Sequence, residues 1–144
     1  MIRLVLDTHV WLDWLVFDDP GVRALRDAVA AGLAEIVIDA ACDAELERVL
    51  AYDFGKRSIA QAAQLAALAE ARRLARRVDI VVVEKLPQCR DPDDQKFVEL
   101  AYAAKADALL TKDRALLQMR KRVPFRIVRP EEMGSEGLTS PAGP

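Results

Sequence analysis

The chain has 144 residues, 52% of them hydrophobic and 31% charged, which suits one compact α/β domain with a full-sized core. No apolar run approaches the ~20 residues that span a bilayer, and the apolar run at the N-terminus is too short for a signal peptide, so a cytoplasmic location is expected. One histidine, His9, and two cysteines, Cys42 and Cys89, argue against a disulfide framework and a four-ligand zinc site, and a pI of about 5.5 argues against bulk coating of nucleic acid.

Residues 2–6, Ile2-Arg3-Leu4-Val5-Leu6, read as a strand apolar enough to be buried on both faces of a parallel sheet, and Asp7 ends it. A short helix over 8–16 carries Val10, Trp11, Leu12 and Leu15. Asp18-Asp19-Pro20 is a turn and helix start, and Val22, Leu25 and Val29 mark the helix that follows. A second strand is expected over 35–39 and a helix over 44–50 with Leu46, Val49 and Leu50 inward. Asp53-Phe54-Gly55-Lys56-Arg57 breaks that helix. Ser58 is the expected N-cap of a long Ala-rich helix reaching Arg77, and residues 79–83 read as a third strand.

Asp91-Pro92 starts the next helix, because Asp caps and Pro at the first helical position gives up an N–H that has no partner there. Asp93 and Asp94 then fall in its first turn, and Phe97, Leu100, Ala101 and Ala104 recur at helical spacing. A fourth strand over 108–111, a helix over 114–119, a fifth strand over 125–128 and a last turn at 129–132 complete the fold. From Gly134 the sequence loses periodicity, so one domain over 1–133 and a disordered tail over 134–144 are expected. Strands alternating with helices imply a parallel sheet covered on both faces. Ligands in such sheets bind beyond the carboxyl ends of the strands, at the switch point of strand order.

Charge is unevenly spread. Residues 1–71 hold 6 Lys+Arg against 12 Asp+Glu, whereas 72–144 hold 15 against 11. Arg72-Arg73, Arg76-Arg77 and the run from Lys112 to Arg129 are therefore either solvated faces or a local patch for phosphate backbones.

Four places supply acids at strand ends or helix starts: Asp7, one of Asp43, Glu45 and Glu47, one of Asp91, Asp93 and Asp94, and Asp113. Hard oxygen ligands without Cys or His suit Mg²⁺ or Mn²⁺, which can bind a phosphate and activate a water. Each acid also has a plain structural use. Asp7 and Asp113 can cap helices, and Asp94 can complement a helix dipole. Helical angles put Glu45 and Glu47 on opposite flanks of the Leu46/Val49/Leu50 face, so spacing does not choose between them.

Taken in order, L-V-L-D-T-H-V, A-E-L-E-R-V-L, R-D-P-D-D-Q-K-F-V-E-L-A and L-L-T-K-D-R-A-L-L resemble the PIN-domain family over residues 2–133. The nearest likeness is to its branch of toxin components of toxin–antitoxin pairs, the VapC-like ribonucleases. The resemblance implies a three-layer α/β/α fold with a five-stranded parallel sheet in order 3-2-1-4-5, and Mg²⁺- or Mn²⁺-dependent ribonuclease activity. By motif position it implies Asp7, Glu45 rather than Glu47, Asp94 and Asp113 as catalytic and metal-binding residues, with Thr8, His9 and Thr111 in support. His9 stands where many members have Asn, Ala41 where Ser is common, and Gln95 where Asn or Asp is frequent.

Arg90, Lys96, Lys112 and Arg114 lie within four residues of Asp94 or Asp113 and are the expected RNA-binding rim. Trp11, Trp14, Leu15, Val16 and Phe17 are more large apolar side chains than one short helix buries, which points to an interface, either a homodimer or a cognate antitoxin. The competing function is a non-catalytic module of the same fold that grips RNA or a protein. A phosphotransfer or receiver domain also places Asp at strand ends, but there is no D-x-D at Asp7 and no acidic pair after strand one.

Overall fold

The structure, a computed structural model, describes residues 1–52, 60–82 and 85–134. Five strands, β1 (Ile2–Leu6), β2 (Ala34–Ile38), β3 (Ala75–Arg77), β4 (Ala108–Leu110) and β5 (Arg126–Val128), form one parallel sheet in the order β3-β2-β1-β4-β5. Among the described residues, six helices surround it as a three-layer α/β/α fold: α1 (Thr8–Leu15), α2 (Arg23–Ala30), α3 (Ala40–Leu50), α4 (Gln61–Leu74), α5 (Gln95–Ala103) and α6 (Arg114–Leu117). Short 3-10 turns at Pro20–Val22 and Pro92–Asp94 lead into α2 and α5.

β1 is the central strand because it can be dry on both faces. Ile2, Leu4, Val5 and Leu6 are all buried, and Phe97, Leu100 and Ala101 of α5 are buried with them in one core. The strand order reverses direction at β1, whose Leu6 pairs with Leu110 of β4. That makes the β1/β4 boundary the switch point, where crossovers leave in opposite directions and a crevice opens beyond the strand ends.

A repeated local device shapes the carboxyl edge of the sheet. Asp7, Asp39 and Asp113 each follow a strand and accept a backbone N–H of the next helix, from Val10 at 2.9 Å, Cys42 at 3.0 Å and Ala115 at 2.9 Å. Asp19 and Asp91 do the same for the 3-10 turns. An aspartate serves there because its short carboxylate satisfies helix N–H groups that have no carbonyl four residues back. At the opposite edge Gly32, at φ 74°, closes α2 and lets Leu33 N–H reach the Ala28 carbonyl at 2.9 Å before β2 begins.

The third strand departs from the expected position. It lies at Ala75–Arg77, the long helix ends at Leu74, and residues 78–82 form no strand. The apolar run at 80–82 reads like a buried strand, yet Val81 is 79% exposed. β3 is the sheet edge, and a short edge strand with outward charges is how such edges are blunted. Arg76 reaches Glu35 at 3.2 Å, and Arg77 stands 3.7 Å from Asp43. The helix break at 53–57, the Ser58 cap, the last residue of the expected third strand and the tail beyond Gly134 lie outside the described residues.

The aromatic cluster of α1 also packs better than expected. Trp11 is buried in the core, and Trp14, Leu15 and Val16 pack against it, leaving Phe17 as the exposed member. Arg26 sits 6.0 Å over the Trp14 ring, a cation–π contact that uses its outer face.

Candidate metal centre

The pairing of β1 with β4 sets the first contact. Asp7 N–H donates to the Leu110 carbonyl at 3.1 Å, so Asp7 lies beside Thr111. The Thr111 hydroxyl, fully buried, donates to Asp7 Oδ2 and accepts the Asp113 N–H at 3.0 Å. One hydroxyl thus ties together the two aspartates that end neighbouring strands. Asp7 Oδ1 caps α1 at the same time. Capping and site-building are therefore one role for Asp7, not alternatives. Burial pushes the Asp7 carboxyl above its ordinary range, against the pull of the Thr111 and Val10 hydrogen bonds.

α3 brings in Glu45. Its Oε2 accepts from the Thr8 hydroxyl, and its Oε1 lies 2.7 Å from the Lys96 ammonium. Glu47 is 57% exposed and faces Arg72 at 3.7 Å. Asp43 is held by Arg72 through bonds of 3.0 and 2.8 Å, which keep its carboxyl below the usual carboxylate range. Of the three acids on this helix, Glu45 alone enters the cleft.

α5 and its 3-10 turn supply the rest. Asp94 stands at the junction of the two, where its side chain makes no capping bond. It is hydrogen-bonded to Asp113 instead, and its Oδ2 is buried without a partner. Burial, then the bond and charge of Asp113, push the Asp94 carboxyl up to about 8, while Asp113 is held low, first by the bond from Asp94. At neutral pH the two share a proton, because adjacent carboxylates resist double ionisation. Asp91 joins them: among the described residues, Asp91, Asp94 and Asp113 offer carboxylate oxygens within 4.8 Å of one another.

The result is a cleft of about 270 Å³ lined by Asp7, Thr8, His9, Glu45, Val49, Tyr52, Asp91, Asp93, Asp94, Phe97 and Asp113. The four acids expected from the motifs all line it. Asp91 is the acid that the motif alignment passed over. Its signal was present in the Asp-Pro start, and its place is fixed by Gln95, buried in the first turn of α5. Gln95 Oε1 accepts Cys89 N–H at 2.6 Å and its Nε2 donates to the Pro87 carbonyl at 3.1 Å, fastening the segment before Asp91 to the helix. Tyr52, 48% exposed at the cleft, was not singled out from sequence at all.

The expected cationic rim is only partly there. Lys96 is in contact with Glu45, and Arg90 stands close enough to help hold Asp113 low. Lys112 does not line the cleft: it lies 2.5 Å from Asp13 and 3.9 Å from Asp19, drawn off by a nearly buried carboxylate that needs a counter-charge. Arg114 is exposed in α6 and does not line it either. The clusters at Arg72-Arg73 and Arg76-Arg77 are paired with Asp43, Glu70 and Glu35, so they read as counter-charges rather than as a phosphate patch.

A family model described as PIN domain matches residues 3–115. The fold is similar to that of a chain in the crystal structure of VapBC2 from Rickettsia felis bound to a DNA fragment from their promoter, with a TM-score of 0.58 and 14% sequence identity, covering 89% of this chain and 98% of that one. No curated protein matches the chain in sequence.

Proposed function

The chain belongs to the PIN-domain family, and from that footing we propose that it is a divalent-metal-dependent endoribonuclease, the toxin of a toxin–antitoxin pair, acting through Asp7, Glu45, Asp94 and Asp113. The observation that carries the reading is the Asp91/Asp94/Asp113 cluster: three carboxylates within 4.8 Å, one oxygen buried without a partner, and a shared proton where a cation would serve better. Oxygen-only donors of this kind suit Mg²⁺ or Mn²⁺. When bound there, such an ion polarises a phosphodiester and lowers the pKa of an attacking water.

The chain's own residues then have distinct tasks. Asp94 and Asp113, with Asp91 beside them, hold the ion once the shared proton has left Asp94. Thr111 fixes the rotamer of Asp7 and, through the Asp113 N–H, the start of α6. Thr8 orients Glu45. His9, exposed where it lines the cleft, and Arg90, near Asp113, would meet the RNA backbone, and the Tyr52 ring would stack a base. The working unit is residues 1–133, in the cytoplasm; no helix among the described residues is long and apolar enough to cross a membrane.

The antitoxin and homodimer assignments rest on the motif resemblance to the toxin branch, with the fold similarity to a VapBC2 chain in support. Phe17, at 41% exposure, and Leu65 of α4, at 62%, are among the exposed large apolar side chains of the described residues. The test is incubation of structured RNAs with the protein in Mg²⁺, Mn²⁺ or EDTA. Internal cleavage in either metal and none in EDTA is expected. RNA binding without cleavage in both metals would favour the non-catalytic module, and equal cleavage in EDTA would remove the metal from the account.

A further inference from the structure

Lys96 sets its ammonium against Glu45, one of the acids that line the cleft. Its ammonium is 2.7 Å from Glu45 Oε1 and 2.6 Å from the Asp93 carbonyl, and it stands 5.7 Å over the Phe97 ring. Its side chain is 21% exposed and that of Glu45 14%, so little water screens the pair. The Thr8 hydroxyl takes the other Glu45 oxygen. Both oxygens of Glu45 are thus engaged by donors from this chain. The three acids that approach each other within 4.8 Å are a different set, Asp91, Asp94 and Asp113, and no cationic side chain makes an ion pair with any of them among the described residues.

The cleft therefore divides into an arm whose acid is ion-paired, at Glu45, and an arm whose acids make no ion pair among the described residues, although Arg90 stands near Asp113. We infer that this protein binds a single divalent ion, at Asp91/Asp94/Asp113, and that the Lys96 ammonium occupies the second cation position, against Glu45. The inference rests on the metal-dependent reading of the cleft. Glu45 is then a positioning residue for Lys96 and not a metal ligand. Two of the three ammonium N–H groups are used by Glu45 and Asp93, which leaves one for a phosphate oxygen entering the cleft. A fixed lysine differs from a second ion in one useful respect: it does not leave when free metal is scarce. A lysine fits this place because its charge is compact and its long stem can run along the first turn of α5.

The experiment is Mn²⁺ binding to the RNA-free, full-length protein, followed by electron paramagnetic resonance and equilibrium dialysis. Wild type is expected to bind one Mn²⁺. Lys96→Ala leaves Glu45 without its cation and is expected to bind two, whereas Lys96→Arg keeps a cation there and is expected to bind one. Lys96→Gln, which retains most of the stem and a donor, replaces the alanine variant if circular dichroism shows that variant unfolded, and it too is expected to bind two. One Mn²⁺ in wild type and also in the neutral variants would overturn the role of Lys96 and leave the metal-dependent reading standing. Two in wild type would overturn it as well. No binding at all in wild type would overturn both.

Discussion

The Asp94 carboxyl is the most informative single group in the molecule. Its folded pKa of about 8 lies above the unfolded value of 3.8, so the native state keeps a proton that the unfolded chain has lost. Without metal, stability contributed by the neutral form is intact below pH ~4, declines as pH rises and is fully lost above pH ~8. Asp94→Asn removes the proton requirement. In EDTA at pH 8 it should raise stability by about 1–2 kcal/mol, after discounting for the solvent that reaches the group, with no gain near pH 4, and it should abolish cleavage. A melting temperature in EDTA at pH 8 that is unchanged or lower would mean that Asp94 is held by contacts the asparagine cannot reproduce. Thr111→Val tests the neighbouring joint. It strips a hydrogen bond from buried Asp7 Oδ2 and another from the Asp113 N–H, and it should cost about 1–3 kcal/mol in urea unfolding. A loss below a few tenths of a kcal/mol would show that the hydroxyl bridges nothing of consequence.

At the scale of elements, strand ends and helix starts decide where chemistry can sit. Gly32 illustrates a purely structural joint. Its φ of 74° disfavours any side chain although nothing lies within 4 Å of an added Cβ. Gly32→Ala should therefore cost roughly 1 kcal/mol by backbone strain alone and leave RNA cleavage at wild-type rate. A fully stable alanine variant would mean that the turn relaxes to another conformation. Much of this level was legible from the sequence. β1, α1 and the Asp91-Pro92 start follow from apolar periodicity and capping chemistry, which act locally. β3 was not legible, because an edge strand of three residues carrying Arg76 and Arg77 has no apolar pattern, and its pairing with Ile36–Ile38 is a long-range choice. Lys112 was misplaced for a related reason. Proximity in sequence to Asp113 said nothing of Asp13, which reaches it from α1. The convergence of Asp7, Glu45, Asp94 and Asp113 came through motif resemblance. Spacing alone left Glu45 and Glu47 level, and only the packed helix separates a cleft-facing Glu45 from the solvent-facing Glu47 beside Arg72.

The molecule as a whole concentrates six carboxylates in one cleft at the switch point of a parallel sheet while its many arginines are spent on other acids. Such a cleft is a cost to the apo fold that a bound cation would relieve. Saturating Mg²⁺ or Mn²⁺ should stabilise wild type by about 2.7 kcal/mol at a hundredfold excess over Kd, and should do nothing for Asp113→Asn, whose cluster has lost a ligand. Light scattering at tens of micromolar tests the assembly: a dimer is the expected result, and a monomer in the absence of an antitoxin would rule out the homodimer. Whether the acidic cleft holds a metal is read directly from a crystal grown in Mn²⁺ with anomalous data collected at the manganese edge. A peak is expected about 2.0–2.6 Å from carboxylate oxygens of Asp94 and Asp113, with their mutual hydrogen bond broken. A cleft without such a peak at saturating Mn²⁺, with Asp94 still bonded to Asp113, would contradict a metal centre there.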